Sequence, residues 1–272
     1  MPSNYEWAFR KDKLKTDRLN VRSFKVFGDG ALGSRGACLL APYSDRPGQC
    51  GFLLSQPAHF DSVAALLAEK DFQMCTHAIG DSGNRVILQA YAKYLKGAND
   101  RRWRIEHAQV ISPDDFAKFG AYNIVPSVQP THATSDMYWA ADRLGTTRVK
   151  GAYAYKQLLQ QNGWLPLGTD FPVEDISPFK TFYAAVERKD SKGFPKGGFQ
   201  PENALSREAT LRGMTSWAAK ANFEETEKGS LEPGKFADFV LLDTDLMTAP
   251  ADKLLQTKVI RTYLNGEPVF VR

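Results

Sequence analysis

The sequence predicts an α/β protein that closes with a small β appendage, and three observations carry that prediction. Short apolar runs alternate with longer amphipathic segments from about Val21 to Val186, the pattern of repeated strand-helix units around a parallel sheet. After about Ala221 the character changes: Gly229-Ser230-Leu231-Glu232-Pro233-Gly234-Lys235 is rich in turn formers and β-type runs follow it. Two of those runs flank Asn265-Gly266, a strong two-residue hairpin signal. A chain of 272 residues is long enough to bury one large core, alone or with such an appendage.

Taken in order, strands are expected at Val21–Phe27, Phe72–His77, Trp103–His107, Asn123–Val128 and Trp164–Gly168, each a short apolar run bounded by polar or turn residues. Helices are expected at Asp81–Leu95, Pro113–Phe119, Thr147–Gln160 and Pro178–Arg188. Ser112-Pro113-Asp114-Asp115 offers an N-cap, a proline for the first helical position and acids for the first turn. Ser206-Arg207-Glu208-Ala209 opens a further helix running to about Ala221, and Ala237–Leu242, Val259–Leu264 and Pro268–Val271 read as strands. The parallel region supplies five units, fewer than the eight of a closed (β/α) barrel, which needs about 250 residues. The pattern fits an open five-stranded α/β sheet or the C-terminal portion of a barrel.

Composition excludes more than it assigns. Lys plus Arg number 35 against 31 Asp plus Glu, a balance of +4 that is too small and too evenly spread to suggest a nucleic-acid partner. The basic stretch Arg101-Arg102-Trp103-Arg104 reads as a solvated strand entry rather than a phosphate-binding patch. Cys38, Cys50 and Cys75 are odd in number and form no CxxC pair, so reduced thiols and a cytoplasmic setting are the expectation. No run approaches the roughly 18 to 20 apolar residues of a membrane span, and no membrane partner is expected. Met1–Asn20 carries no signal-peptide core. Asn4-Tyr5-Glu6-Trp7 followed by Arg10-Lys11-Asp12-Lys13 reads like the middle of a helix-rich region, which suggests a shortened reading frame.

The residues with chemical potential sit at strand ends. Lys25 interrupts the apolar run Phe24–Phe27 just before Gly28-Asp29-Gly30; taken alone it reads as a snorkelling edge residue, whereas a lysine along a buried strand is costly unless its amine is neutralised or modified. Thr76-His77-Ala78-Ile79-Gly80-Asp81 ends the second strand, Arg104-Ile105-Glu106-His107 ends the third and Gly168-Thr169-Asp170-Phe171-Pro172 ends the fifth. A lone histidine is more often a hydrogen-bonded core residue than a ligand. Two at successive strand ends with a later aspartate form a set of imidazole and carboxylate donors suited to zinc, and parallel barrels build sites from several strand C-termini. His59, in Pro57-Ala58-His59-Phe60-Asp61, is expected at a helix start in a structural or exposed position.

Five stretches, four of them those strand ends, together resemble the amidohydrolase superfamily, specifically amidohydrolase family 3 and its YtcJ-like branch. They are Lys25–Arg35, Thr76–Asp81, Arg104–Ala108, Val128–His132 and Gly168–Val173, joined by Gly229–Asp238, which is similar to the family's return into a β-sandwich. The resemblance runs through nearly the whole chain. It implies a partial TIM-type (β/α) barrel, about strands four to eight, over residues 1–222, with part of a β-sandwich over 223–272. It further implies that Lys25 is carboxylated and bridges two divalent ions, with His77 and His107 on one ion and Asp170 near the other. In that scheme Asp170 takes a proton from the attacking water and delivers it to the leaving nitrogen, so that C-N bonds of small amide or N-acyl substrates are hydrolysed. Asp29, Arg35 and His132 occupy loop positions that face substrate or serve structure, and Glu106 is expected to orient its neighbour.

The chain departs from the family pattern by omission. The family opens with half of a β-sandwich and a first barrel strand bearing two histidines separated by one residue, and Met1–Asn20 matches neither. One ion held by His77, His107 and Lys25 or Asp170 is then expected more readily than two, with zinc as the default metal. Open sheet edges suggest a homo-oligomer or a missing N-terminal segment. Two competing readings accompany the hydrolase: a catalytically incomplete remnant acting as a binding or assembly module, and an open-sheet enzyme using Asp29, Asp81 and Asp170 around magnesium. The magnesium reading suits the two histidines poorly.

Overall fold

The computed structural model describes residues 3–97 and 99–272. They fall into two compact units, one running to Pro126 with Asp142–Ala152, the other comprising Ser127–Ala141 and Tyr153–Arg272. The fold is α/β with a parallel sheet.

In the first unit, a helix Ser3–Lys11 and a small antiparallel hairpin, Leu14–Thr16 with Leu19–Val21, precede a sheet ordered Ser23–Phe27, Gln73–Ala78, Arg104–His107 and Val125–Ser127. The first three strands pair in parallel, with Phe27 opposite His77 and Ala78 opposite His107. Gln73–Ala78 is buried along almost its whole length, so its polar members need partners: the Gln73 amide donates to the Arg102 carbonyl at 2.5 Å. Helices Pro57–Glu69, Asp81–Ala92 and Phe116–Ala121 cover the sheet, and the core between them holds Phe60, Leu67, Met74, Tyr91, Trp103 and Phe119, each less than 2% exposed. The two polar tips in that core are satisfied: the Trp103 indole donates to the Phe72 carbonyl at 3.0 Å, and the Tyr91 hydroxyl lies 2.7 Å from that of Thr76.

In this unit strand positions follow the expectation within two residues, and Val21–Phe27 is shorter by two residues at its start. There the ladder begins only at Ser23, because Leu19–Val21 belongs to the preceding hairpin. The helix expected at Pro113 starts at Phe116 after a turn closed by Asp115 N-H to the Ser112 carbonyl. Thr147–Gln160 is not one helix. Val149–Gly151 is a short 3-10 turn, and Ala152 is extended and bridges Val110. Ile111 donates to the Gly151 carbonyl, and Gly151 lies so close to the chain that a Cβ there would stand 2.3 Å from the Ile111 oxygen. Tertiary hydrogen bonds thus override local helix preference at this point.

Gly80 is a second close approach: a Cβ would stand 2.0 Å from the Cys38 carbonyl oxygen, a backbone atom that cannot swing aside. Gly80→Ala is expected to destabilise the first unit by about 2 kcal/mol through forced backbone displacement. A lowered urea midpoint with an unchanged slope is the measurement that checks it.

The second unit is built from helices Pro130–Asp136, Tyr155–Asn162, Pro178–Glu187, Arg207–Met214 and Ser216–Ala221 and from an antiparallel three-stranded sheet. The single helix expected from Ser206 to Ala221 is broken at Thr215, and the Ser206 side chain caps its first half by accepting from Ala209 N-H. Phe239–Leu242, Val259–Leu264 and Glu267–Val271 form the appendage, with Asn265 and Gly266 both at positive φ in the hairpin turn between the last two strands. The expected strand Trp164–Gly168 is reduced to a parallel bridge between Leu167 and Val128. Pro166 has no N-H to give a ladder, and Leu167 donates instead to the Gly213 carbonyl. Among the described residues no helix is long and apolar enough to cross a membrane.

Candidate functional site

In the first unit the C-terminal ends of adjacent parallel strands carry His77 and His107, whose rings lie 4.6 Å apart between centroids and 73° from coplanar. His107 has a positive φ of 74°, which turns its side chain out of strict strand alternation and lets it meet His77 despite the one-residue offset in register. Both rings are largely withdrawn from solvent. Two imidazoles at this spacing, with a carboxylate behind one of them, are a donor set suited to a borderline-soft divalent ion.

That carboxylate is Asp29, 1% exposed, whose Oδ1 lies 3.6 Å from His77 Nε2. Asp29 accepts three backbone N-H groups: Ile79 at 2.9 Å on Oδ1, and Gly80 and Cys38, each at 2.8 Å, on Oδ2. Burial pushes its carboxyl up to about 6, against the pull of these three donors. Asp29 therefore stands inside the turn that follows His77 rather than on a loop face, and it fixes the backbone that carries the histidine.

Lys25 lies on the end strand of its sheet. It is exposed, with Nζ 4.4 Å from the centre of the Phe27 ring. In register it pairs with Cys75, two residues before the Phe27-His77 pair. Arg35 is held by Asp45 through two hydrogen bonds of 3.1 and 2.8 Å, and Asp45 also accepts from Arg143. Glu106 accepts from Arg104 at 2.8 Å, so its observed partner is an arginine on its own strand. His59 is exposed in the first turn of Pro57–Glu69.

In the second unit His132, on helix Pro130–Asp136, stands between two acids: Nδ1 is 3.1 Å from Glu174 Oε1 and Nε2 is 3.6 Å from Asp170 Oδ2. Burial opposes its charge, but the two carboxylates outweigh it and push the imidazole up to about 9. Ser135 donates to the same Glu174 oxygen at 2.6 Å. Asp170 has a positive φ of 59° and is the more exposed of the two acids. Glu174 is absent from the sequence reading. Its signal was a carboxylate four residues beyond Asp170, too ordinary to notice without the fold that turns it back onto His132.

Residues 1–270 match the Amidohydrolase family over essentially the entire chain. The chain belongs to that family. It is 36% identical over 264 residues to "Protein LONG AFTER FAR-RED 3" of Arabidopsis thaliana, covering 96% of this chain and 45% of that protein. It is 29% identical over 259 residues to "Putative amidohydrolase YtcJ" of Bacillus subtilis, covering 95% of this chain and 49% of that one. The solved structure of an uncharacterized metal-dependent hydrolase from Pyrococcus horikoshii superposes with a TM-score of 0.78 at 30% identity, over 88% of this chain and 48% of its own. The chain spans about half the length of these relatives.

Proposed function

We propose that this chain forms part of a metal-dependent hydrolase acting on C-N bonds of small amide or N-acyl substrates. The observation that carries the reading is the His77-His107 pair at neighbouring strand C-termini in a member of the amidohydrolase family. In this reading the parallel sheet is an arc of a (β/α) barrel, with the appendage part of a β-sandwich over residues 223–272.

The residues assigned to a divalent ion, zinc by preference, are His77 and His107, with Lys25 as a carbamate and Asp170 as further ligands. When bound, such an ion supplies Lewis-acid activation of water and of an amide carbonyl. Asp29 holds the Ile79-Gly80 turn and lies beside His77, so that the imidazole is presented in one orientation. Asp170 is assigned the proton transfer from water to the leaving nitrogen. His132, pinned by Glu174, restrains the Asp170 side chain. Substrate selection falls to the loops after the strands.

Equilibrium dialysis of the purified chain with zinc and ¹³C-bicarbonate tests the metal assignment. Saturable zinc binding is expected, weakened at least about tenfold in His77→Ala and in His107→Ala, together with a carbamate ¹³C signal that disappears in Lys25→Ala. Equal zinc binding by wild type and both histidine variants would sink the assignment. Hydrolysis of an amide, N-formyl and N-acyl panel, by this chain and by a version extended at its N-terminus, tests the reaction itself.

A further inference from the structure

The second unit contains a cavity of about 180 Å³ between helices Pro130–Asp136 and Pro178–Glu187. It has room for about six water-sized groups. Its roof is the start of a ten-residue loop, Lys189 to Gly198, whose neck is closed where Phe199 N-H donates to the Arg188 carbonyl at 2.7 Å. A loop of this length with adjoining ends is an Ω-loop. Asp190 organises it from within, accepting the N-H groups of Lys192 and Phe194 at 2.8 and 2.9 Å. It is latched from outside by Tyr138, which stacks on Phe194 at 5.6 Å and 11° and donates its hydroxyl to Asp190.

The loop brings Lys189, Asp190 and Ser191 to the cavity, which Glu174, Asp175 and Lys180 also line. Asp175 and Lys180 are already paired at 2.6 Å, and Glu174 is shared by His132 and Ser135. Lys189 is engaged least closely: its nearest carboxylate, Glu187, is 3.7 Å away, beyond hydrogen-bond distance. Both signs of charge thus face one small space, with Ala184 and Leu255 as its apolar part. A ligand of one charge leaves the lining groups of its own sign unmatched, and an apolar ligand strips water from both kinds.

We propose that this cavity binds a compact zwitterion of the short ω-amino-acid type, its carboxylate on Lys189 and Ser191 and its ammonium toward Glu174 and Asp175, with the Ω-loop as the clamp. The site stands on the cavity itself and does not require the hydrolase reading.

The test is an NMR titration of the intact chain with γ-aminobutyrate, butyrate and butylamine, following amide signals in 131–135 and 189–198. Saturable shifts are expected with γ-aminobutyrate at an affinity at least about tenfold above either single-charge analogue. Lys189→Met is expected to weaken γ-aminobutyrate binding at least about tenfold while leaving the amide spectrum outside the loop and zinc binding unchanged. Absence of saturable shifts, or butyrate or butylamine binding as well as the zwitterion, overturns the proposal. Undiminished binding by Lys189→Met does so too. Because zinc binding is read on the same samples, failure of this site and failure of the metal assignment are separate results.

Discussion

Asp29→Ala is expected to destabilise the first unit by about 3–5 kcal/mol, the largest effect of any single carboxylate in that unit. The side chain is almost fully buried, and its removal strands the N-H groups of Cys38, Ile79 and Gly80 in a space that water does not reach. Each buried donor left without a partner costs about 1–3 kcal/mol. Partial relaxation of the turn makes the sum less than additive. Asp29→Asn separates shape from charge. Both carboxylate oxygens serve as acceptors, so an amide satisfies one side and points its NH₂ at a donor on the other, and a loss of about 2 kcal/mol is expected. Urea unfolding followed by the fluorescence of Trp103, which lies in the same unit, reads both variants. A loss below 1 kcal/mol for Asp29→Ala would mean that the turn holds without its carboxylate.

In the second unit the corresponding residue is Arg188. Its side chain is inaccessible to solvent, its φ is 56°, and it donates from Nε to the Phe199 carbonyl at 2.9 Å and from Nη2 to the Tyr153 carbonyl at 3.2 Å. The guanidinium also lies over the Tyr155 ring at 4.9 Å. Burial draws the guanidinium below its ordinary pKa, with the neighbouring tyrosines working against that shift. Arg188→Ala leaves two carbonyls unmet and a cavity the size of the lost side chain, for an expected loss of about 3–5 kcal/mol. Arg188→Lys keeps a charge but lacks the planar fork, so it is expected to recover little of the loss. Limited proteolysis gives an independent reading: cleavage between Lys189 and Gly198 should accelerate well before the rest of the unit yields. An unchanged cleavage pattern would show that the loop neck is held by its backbone alone.

Much of the fold was legible because burial leaves a pattern. The short run Phe72–His77 between two polar stretches and the turn signal at Asn265-Gly266 each report a local requirement, and both elements stand where they were expected. The failures have a common cause in contacts made far along the chain. Thr147–Gln160 is helix-compatible, yet the chain leaves the α-helix there, where the Gly151 carbonyl accepts from Ile111 N-H and Ala152 bridges Val110. Trp164–Gly168 has strand composition, yet Pro166 leaves only a bridge.

The site was legible in part for the same reason. His77 and His107 were marked by their place at strand ends, and their rings do meet. The work of Asp29 was ambiguous until its three backbone donors were seen, and Glu174 was hidden because a carboxylate on a loop has no local signature of what it will face. Lys25 was ambiguous because a lysine in an apolar run is as readily a side chain snorkelling from a sheet edge as a modified ligand, and Ser23–Phe27 is the end strand of its sheet, where a side chain reaches solvent.

The closed neck at Arg188 and Phe199 has an evolutionary corollary. Because the strain of leaving and rejoining the scaffold is absorbed at two adjoining positions, the stretch from Lys192 to Gly197 is a replaceable cassette, free to lengthen, shorten or change composition at little entropic penalty. Relatives that keep the arginine fastening while rewriting the insert would diversify their small-molecule preferences without renegotiating the architecture beneath.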